Sequence, residues 1–225
     1  MSKFGKVTGA LALAAMMGAT PALAQDNIRG KQAGDFVVGL SAIGVLPENG
    51  RNSRVDLIGG RVRASNAATG QVDFTYFVNR NISLNLIAAS TQHDLTAKGT
   101  ALGNVSLGSV WALPPTLTLQ YHPLPSSRFS PYVGAGLNYT MFYGYGHSGA
   151  NPAIRSVAVN GAPGFALNAG LDVEISGPWA LNLDVKKIWL SPNAAVSTNL
   201  GVKVHARTEL NPLVIGMGVR YRFSL

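Results

Sequence analysis

The run Leu213-Val214-Ile215-Gly216-Met217-Gly218-Val219-Arg220-Tyr221-Arg222-Phe223 decides how the rest of the chain is read. Every odd position is large and apolar, and every even position is small or, at Arg220 and Arg222, cationic. A period of two is the signature of a β-strand with one greasy face. Eleven residues exceed an average globular strand and match what a tilted strand needs to cross a bilayer. The glycines and arginines of the other face do not belong in lipid. The pattern fits the last strand of a transmembrane β-barrel.

Seven more segments repeat it. Residues 35–46 put Phe36, Val38, Leu40 and Ala42 on the outer face, and residues 71–78 put Val72, Phe74, Tyr76 and Val78 there. Residues 82–93 and 113–122 follow, with Leu84 and Leu86, then Leu117 and Leu119, outward against Ser83, Asn85, Thr118 and Gln120. Residues 131–143, 164–175 and 179–190 complete the set, with Leu137, Leu167 and Leu183 outward against Asn138, Asn168 and Asn182. Lys187 interrupts the outer face of 179–190, so it is expected at a headgroup boundary, snorkelling to water.

The connections alternate. Asn79-Arg80-Asn81 and Ser176-Gly177-Pro178 are tight turns and 123–130 is moderate, whereas 47–70, 94–112, 144–163 and 191–212 are long and rich in Gly, Asn, Ser and Pro. Short periplasmic turns and long extracellular loops are the outer-membrane arrangement, with both ends of an even-stranded barrel on the periplasmic side. Tyr76, Tyr121, Trp179, Tyr221 and Phe223 then collect at the turn side and Tyr139, Tyr143 and Trp189 at the loop side, as two aromatic girdles. The competing fold is a soluble eight-stranded barrel, but there the apolar parity faces inward, whereas here the inward parity carries the Asp, Asn, Thr and Arg. The expected fold class is all-β: an eight-stranded antiparallel transmembrane barrel.

At the other end, Lys3 and Lys6 precede an apolar stretch from Val7 to Met17, and Ala22-Leu23-Ala24 has the form of a cleavage site. Residues 1–24 read as a signal peptide and 25–225 as the barrel. Hydrophobic residues make up 47% of the chain, yet no later helical run of about twenty apolar residues occurs, so an inner-membrane helix bundle is excluded. There is no cysteine, hence no disulfide framework, thiolate metal site or Cys nucleophile. The net charge is +8, but only 12% of residues are charged and the cations are scattered, so nucleic acid is not an expected partner. Outer-membrane lipid and lipopolysaccharide are.

Several blocks resemble the OmpW family of small outer-membrane barrels: Leu113-Pro114-Pro115-Thr116-Leu117 with Gln120-Tyr121, the run Pro131-Tyr132-Val133-Gly134-Ala135-Gly136-Leu137-Asn138-Tyr139, Asp184-Val185-Lys186-Lys187-Ile188-Trp189, and Asn211-Pro212 leading into the final strand. The resemblance spans essentially the whole of 25–225. It implies an eight-stranded barrel with a narrow apolar lumen that passes small hydrophobic molecules across the outer membrane. Tyr221-x-Phe223 resembles the ending by which barrel assembly machinery recognises its clients. Such proteins usually stop at the aromatic residue, whereas Ser224-Leu225 follow here.

Strand direction and parity assign a height to each inward side chain. The upper interior receives Ile43, Val45, Ile87, Phe142, Ile188, Leu190 and Val214, an apolar cup open to the outside. The lower interior receives Asp73, Asp172, Glu174, Asp184, Arg220 and Arg222, with Lys186 near mid-height. Charges confined in a narrow barrel must pair, so these form an ion-pair floor. A solute entering from above could not pass straight down and would leave sideways into the bilayer. The alternative is a structural or surface-interaction barrel whose lumen is packed shut and whose long loops bind ligands. Inward glycines, including Gly170 and Gly216, either make room for a ligand or relieve crowding.

Catalytic chemistry is weakly signalled. His93, His122, His147 and His205 have no metal-ligand spacing and are expected at the surface or rim. A Ser-His-acid hydrolase would need its members at one height on neighbouring strands; Ser83 lies far below His93, and no such constellation is read. No enzyme activity and no cofactor are expected. Arg51, Arg54, Arg61 and Arg63 make the first loop basic and alternate loosely with Val55, Leu57, Ile58 and Val62, which suggests headgroup contact or an apolar lid over the cup.

Overall fold

The computed structural model describes residues 29–48, 54–55, 59–147, 149–199, 201 and 203–224. The expected signal peptide, residues 1–24, lies outside them, as do Arg51, Leu57, Ile58 and Leu225. The strands in chain order are β1 (Phe36–Leu46), β2 (Arg54–Val55), β3 (Arg61–Ala64), β4 (Ala67–Phe77), β5 (Ile82–Ala89), β6 (Thr91–Thr100), β7 (Gly103–Leu113), β8 (Thr116–Tyr121), β9 (Phe129–Gly146), β10 (Ile154–Val159), β11 (Ala162–Ser176), β12 (Trp179–Leu190), β13 (Asn193–Thr198), β14 (Lys203–Arg207) and β15 (Leu213–Phe223).

Eight of them close a barrel. Each of β1, β4, β5, β8, β9, β11, β12 and β15 pairs antiparallel with the next, and β15 pairs back onto β1 from Phe36↔Phe223 to Leu46↔Leu213. Closure leaves no strand of the wall as a free sheet edge, which a bilayer core requires. The wall's parity is that of a membrane barrel. Thr75, Ser83, Asn85, Thr116, Thr118 and Gln120 are buried inside, while Leu40, Leu137, Phe165 and Met217 are 60–69% exposed on the outside. A soluble protein does not present such a belt to water. Phe36, Tyr76 and Phe223 lie side by side across three strands at the lower rim, and Trp179 lies opposite Tyr221. At the upper rim Trp111 stacks on Tyr143 at 6.3 Å, extending the expected girdle by one residue.

The long connections are not loops. β6 and β7 continue the wall upward and carry β3 on their edge; β10, β13, β14 and β2 form a second sheet. Their inward residues, among them Val62, Leu95, Leu107, Val110, Val157, Val196 and Val204, build a second apolar core above the barrel. Val62 and Ala64 are therefore held in a ladder with Ala97 and Leu95, and this part of the expected lid is a sheet edge. At the periplasmic end the turns are tight, as in Asn79-Arg80-Asn81, where the Asn79 side-chain oxygen accepts from the amides of Asn81 and Ile82 at 2.9 and 2.8 Å.

The wall has one interruption. β5 pairs with β8 up to Ile87↔Thr116, and pairing resumes between β6 and β7 at Thr91↔Ala112 in the same register. Between these, Ala88, Ala89 and Ser90 face Pro115, Pro114 and Leu113 with no ladder bond. Proline has no N–H to donate, so this stretch cannot complete a ladder. On the other side Tyr139 N still donates to Pro115 O at 3.1 Å, so only the β5–β8 seam opens.

Candidate functional site

An apolar cavity of about 60 Å³ sits in the upper barrel. Ile43, Val45, Ile87, Phe142, Ile188, Leu190 and Val214 all line it. It is not an open cup. Ala64, His93, Leu95, Val110 and Leu210 line it from the extracellular sheets, so it is roofed. The expectation of open access from above is corrected by the second core, which the alternating Val and Leu of the long connections create. Phe142 and Leu210 pack against both cores and join roof to wall. Pro114, at the seam, also lines the cavity.

Below lies a continuous polar network. Arg220 pairs with Asp73 at 3.0 Å and with Asp172 at 2.9 Å, and its guanidinium lies 5.5 Å from the centre of the Tyr132 ring. Asp184 accepts from the Tyr132 hydroxyl at 2.9 Å and Asn168 at 2.8 Å and pairs with Lys186 at 3.0 Å. Arg222 pairs with Glu174 at 3.4 Å. Tyr132 reaches this centre because Gly170 faces it: a Cβ at Gly170 would lie 2.3 Å from the ring. The space beside this inward glycine is filled by a neighbour's side chain. Gly39 likewise admits the Asp73 carboxylate, which a Cβ would meet at 2.0 Å.

Sequence reasoning missed a fourth cation. The segment before β1 folds into the periplasmic mouth, with Lys31 N bonded to Pro125 O and Gly34 N to Phe77 O, both at 2.8 Å. It delivers Lys31, 3% exposed, into the floor. Its ammonium donates to Asp172 and Ser130 at 2.7 Å each and to His122 Nδ1 at 3.2 Å. Burial pushes the Lys31 pKa down, against the pull of Asp172. Asp35 follows, 4.0 Å from the Arg222 guanidinium and accepting the Gln32 amide at 2.9 Å. The other end of the chain meets this plug, where Arg29 bonds the Ser224 hydroxyl.

Two expectations about histidine are corrected. His93 and His122 are buried, not at the rim. His122 also stands against Ser83, with Nε2 3.0 Å from Oγ, because β5 pairs with β8 and both side chains face inward at the turn end. The pair is not set up as nucleophile and base. Behind His122 stands Lys31, a donor, so Nδ1 accepts, Nε2 carries the proton, and Ser83 Oγ receives it. Burial, aided by Lys31, pushes the His122 pKa down to about 3.

That shift has a stability consequence. The unfolded imidazole titrates near pH 6.5, so between about pH 6.5 and 3 the unfolded chain binds the extra proton. The His122 contribution is complete above that window and is lost as pH falls through it. Urea titrations of the vesicle-inserted barrel at pH 7.5 and 5.0 should show a larger loss for the wild type than for His122→Gln. Equal losses would remove His122 as the cause.

An all-β chain closed in eight strands, lipid-compatible outside and ion-paired inside, is a small outer-membrane barrel. The OmpW family matches residues 32–223. The chain is 35% identical over 181 residues to the uncharacterized outer-membrane protein y4mB of Sinorhizobium fredii, covering 80% of this chain and 76% of that one. It is 31% identical to outer membrane protein W of Escherichia coli, covering 85% and 90%. The dibenzothiophene metabolism operon protein PahQ of Pseudomonas aeruginosa is 28% identical, covering 73% and 76%. The crystal structure of the outer membrane protein OprG from Pseudomonas aeruginosa superposes with a TM-score of 0.78 at 25% identity, covering 88% of this chain and all of that one. The chain belongs to the OmpW family and resides in the outer membrane of a Gram-negative bacterium.

Proposed function

We propose that this barrel is a passive, non-enzymatic route for small hydrophobic molecules, which occupy the upper cavity and leave sideways into the bilayer. The observation that carries this is an apolar chamber with the unpaired Pro114–Pro115 seam in its wall at the same height, and an ion-paired floor directly beneath both. A through-pore for ions or sugars is disfavoured by the floor. An apolar solute gains nothing from the polar network but is welcome in acyl chains. The relative PahQ is named as a dibenzothiophene metabolism operon protein, and dibenzothiophene is a small apolar molecule, which accords with this solute class. Membrane lipid surrounds the barrel, and assembly machinery that reads the Tyr221-x-Phe223 ending would insert it.

A chamber of about 60 Å³ is smaller than the roughly 150 Å³ that admits a benzene ring, so a ligand must displace a side chain. Phe142, the largest lining side chain and, with Leu210, shared with the roof, is the natural gate. Titrating a brominated alkane into the purified barrel should quench tryptophan fluorescence with a saturable component. Phe142→Asp, which places a carboxylate in the chamber, should weaken that component at least about tenfold. If no saturable component exists, or Phe142→Asp leaves it unchanged, the chamber is not a binding site and a packed barrel with loop-mediated contacts takes its place.

A further inference from the structure

We propose that the outward face of β3 and β6 is a binding surface for the phosphate groups of the lipopolysaccharide core. Arg61 lies directly opposite Lys98 across the β3–β6 ladder, and Arg63 lies opposite Thr96. Arg61, Arg63 and Lys98 are all exposed, and no ion pair or side-chain hydrogen bond engages any of them among the described residues. Like charges placed directly opposite in a sheet destabilise it. The cost disappears when an anion bridges them, and an arginine beside a lysine, one forked donor and one point charge, suits a phosphate.

The second sheet repeats the arrangement where it meets the first. Arg54 on β2 stands in register with Arg207 on β14, whose side chain is exposed, and β2 touches β3. Two cationic cross-strand positions thus come from the sheet edges that the first long connection joins. The nearest acid on the β6 face is Asp94, two register pairs below Arg63's partner level, and no ion pair joins it to Arg63.

Height selects the partner. The outward parity of β6 is the continuation of the lipid-facing parity of β5, so Lys98 lies on the membrane-surrounded side of the wall and does not face the chamber. Ser90, beside Tyr143, marks the upper girdle. A rise of about 3.3 Å per residue places Lys98 about 26 Å further along the strand, roughly 20 Å in height at barrel tilt. Acyl chains do not reach that level. The phosphorylated core sugars that stand on the outer leaflet do. The surface would tether the extracellular sheets to the surrounding lipopolysaccharide layer, a role separate from the chamber.

The test uses the full barrel in phosphatidylcholine nanodiscs and purified lipopolysaccharide with a phosphorylated core. The Arg61→Gln/Lys98→Gln double variant should bind about tenfold more weakly than wild type, and raising the salt concentration should narrow the difference. Arg80→Gln, in a periplasmic turn, should bind as wild type. Core-dephosphorylated lipopolysaccharide should bind the wild type as weakly as the phosphorylated form binds the double variant. Equal binding of the two forms to wild type, or an unaltered affinity in the double variant with its heat-modifiable migration intact, overturns the proposal. Displacement by inorganic phosphate at concentrations that match the lipopolysaccharide also overturns it, since the surface would then be a site for a simple ion.

Discussion

Arg220→Met is expected to be the most destabilising single substitution in the barrel floor, by about 3–5 kcal/mol. Arg220 holds two carboxylates at once, Asp73 at 3.0 Å and Asp172 at 2.9 Å, and all three side chains are almost fully buried. The two acids would not suffer equally. Asp172 keeps Lys31 at 2.7 Å and the Asn182 amide at 2.8 Å. Asp73 keeps one long bond from Asn85 at 3.3 Å, and its second oxygen has no hydrogen-bond partner. The penalty is therefore the stranded charge of Asp73, and Asp73→Asn in the Arg220→Met background should recover a large part of it. Arg222→Met should cost less, since its carboxylate contacts are longer, 3.4 Å to Glu174 and 4.0 Å to Asp35. Equilibrium urea unfolding in lipid vesicles measures all three variants against the wild type. A loss below about 1 kcal/mol for Arg220→Met would mean that water reaches Asp73 and that the floor is not dry.

The barrel itself was legible because its outer face must be apolar at every second residue along eight strands. The position of the chamber was legible for the same reason: parity chose the inward side chains and strand direction chose their height, so Ile43 of β1 and Val214 of β15 could be set near one another without knowing the register. The plug was not. Lys31 lies in Gly30-Lys31-Gln32-Ala33-Gly34, which has no period, and its approach to Asp172 is a tertiary contact across 141 positions. The Ser83–His122 pair carried a usable signal, since both lie on inward parity near the turn end of adjacent strands. His93 stands further up, lining the chamber beside Thr91, and does not meet Ser83. The extracellular sheets were hidden by composition. Glycine, asparagine and proline suggested loops, while the alternation in Leu95-Thr96-Ala97-Lys98 already had the period of a strand.

Closing the seam should abolish transport. The equal registers on either side of the gap place Ser90 opposite Leu113, both near the upper girdle and on the outward face. The chain contains no cysteine, so Ser90→Cys/Leu113→Cys introduces a single pair at a spacing that cross-strand neighbours can bridge. The oxidised double variant should take up an apolar tracer at less than about a tenth of the wild-type rate in proteoliposomes, and reductant should restore it. That ratio follows from the lateral route being the sole exit: Arg220, Lys31 and Asp172 fill the way down, and no apolar solute crosses a desolvated ion-pair network without breaking it. The chamber should still bind its ligand in the cross-linked protein, because Phe142, Ile188 and Val214 lie inside the wall and the disulfide forms outside it. Binding retained with uptake lost separates an exit from a site. Uptake unchanged by the cross-link would move the exit elsewhere in the wall, and the missing ladder bonds at Pro114 and Pro115 would then serve only to let one long strand pair bend at the membrane surface.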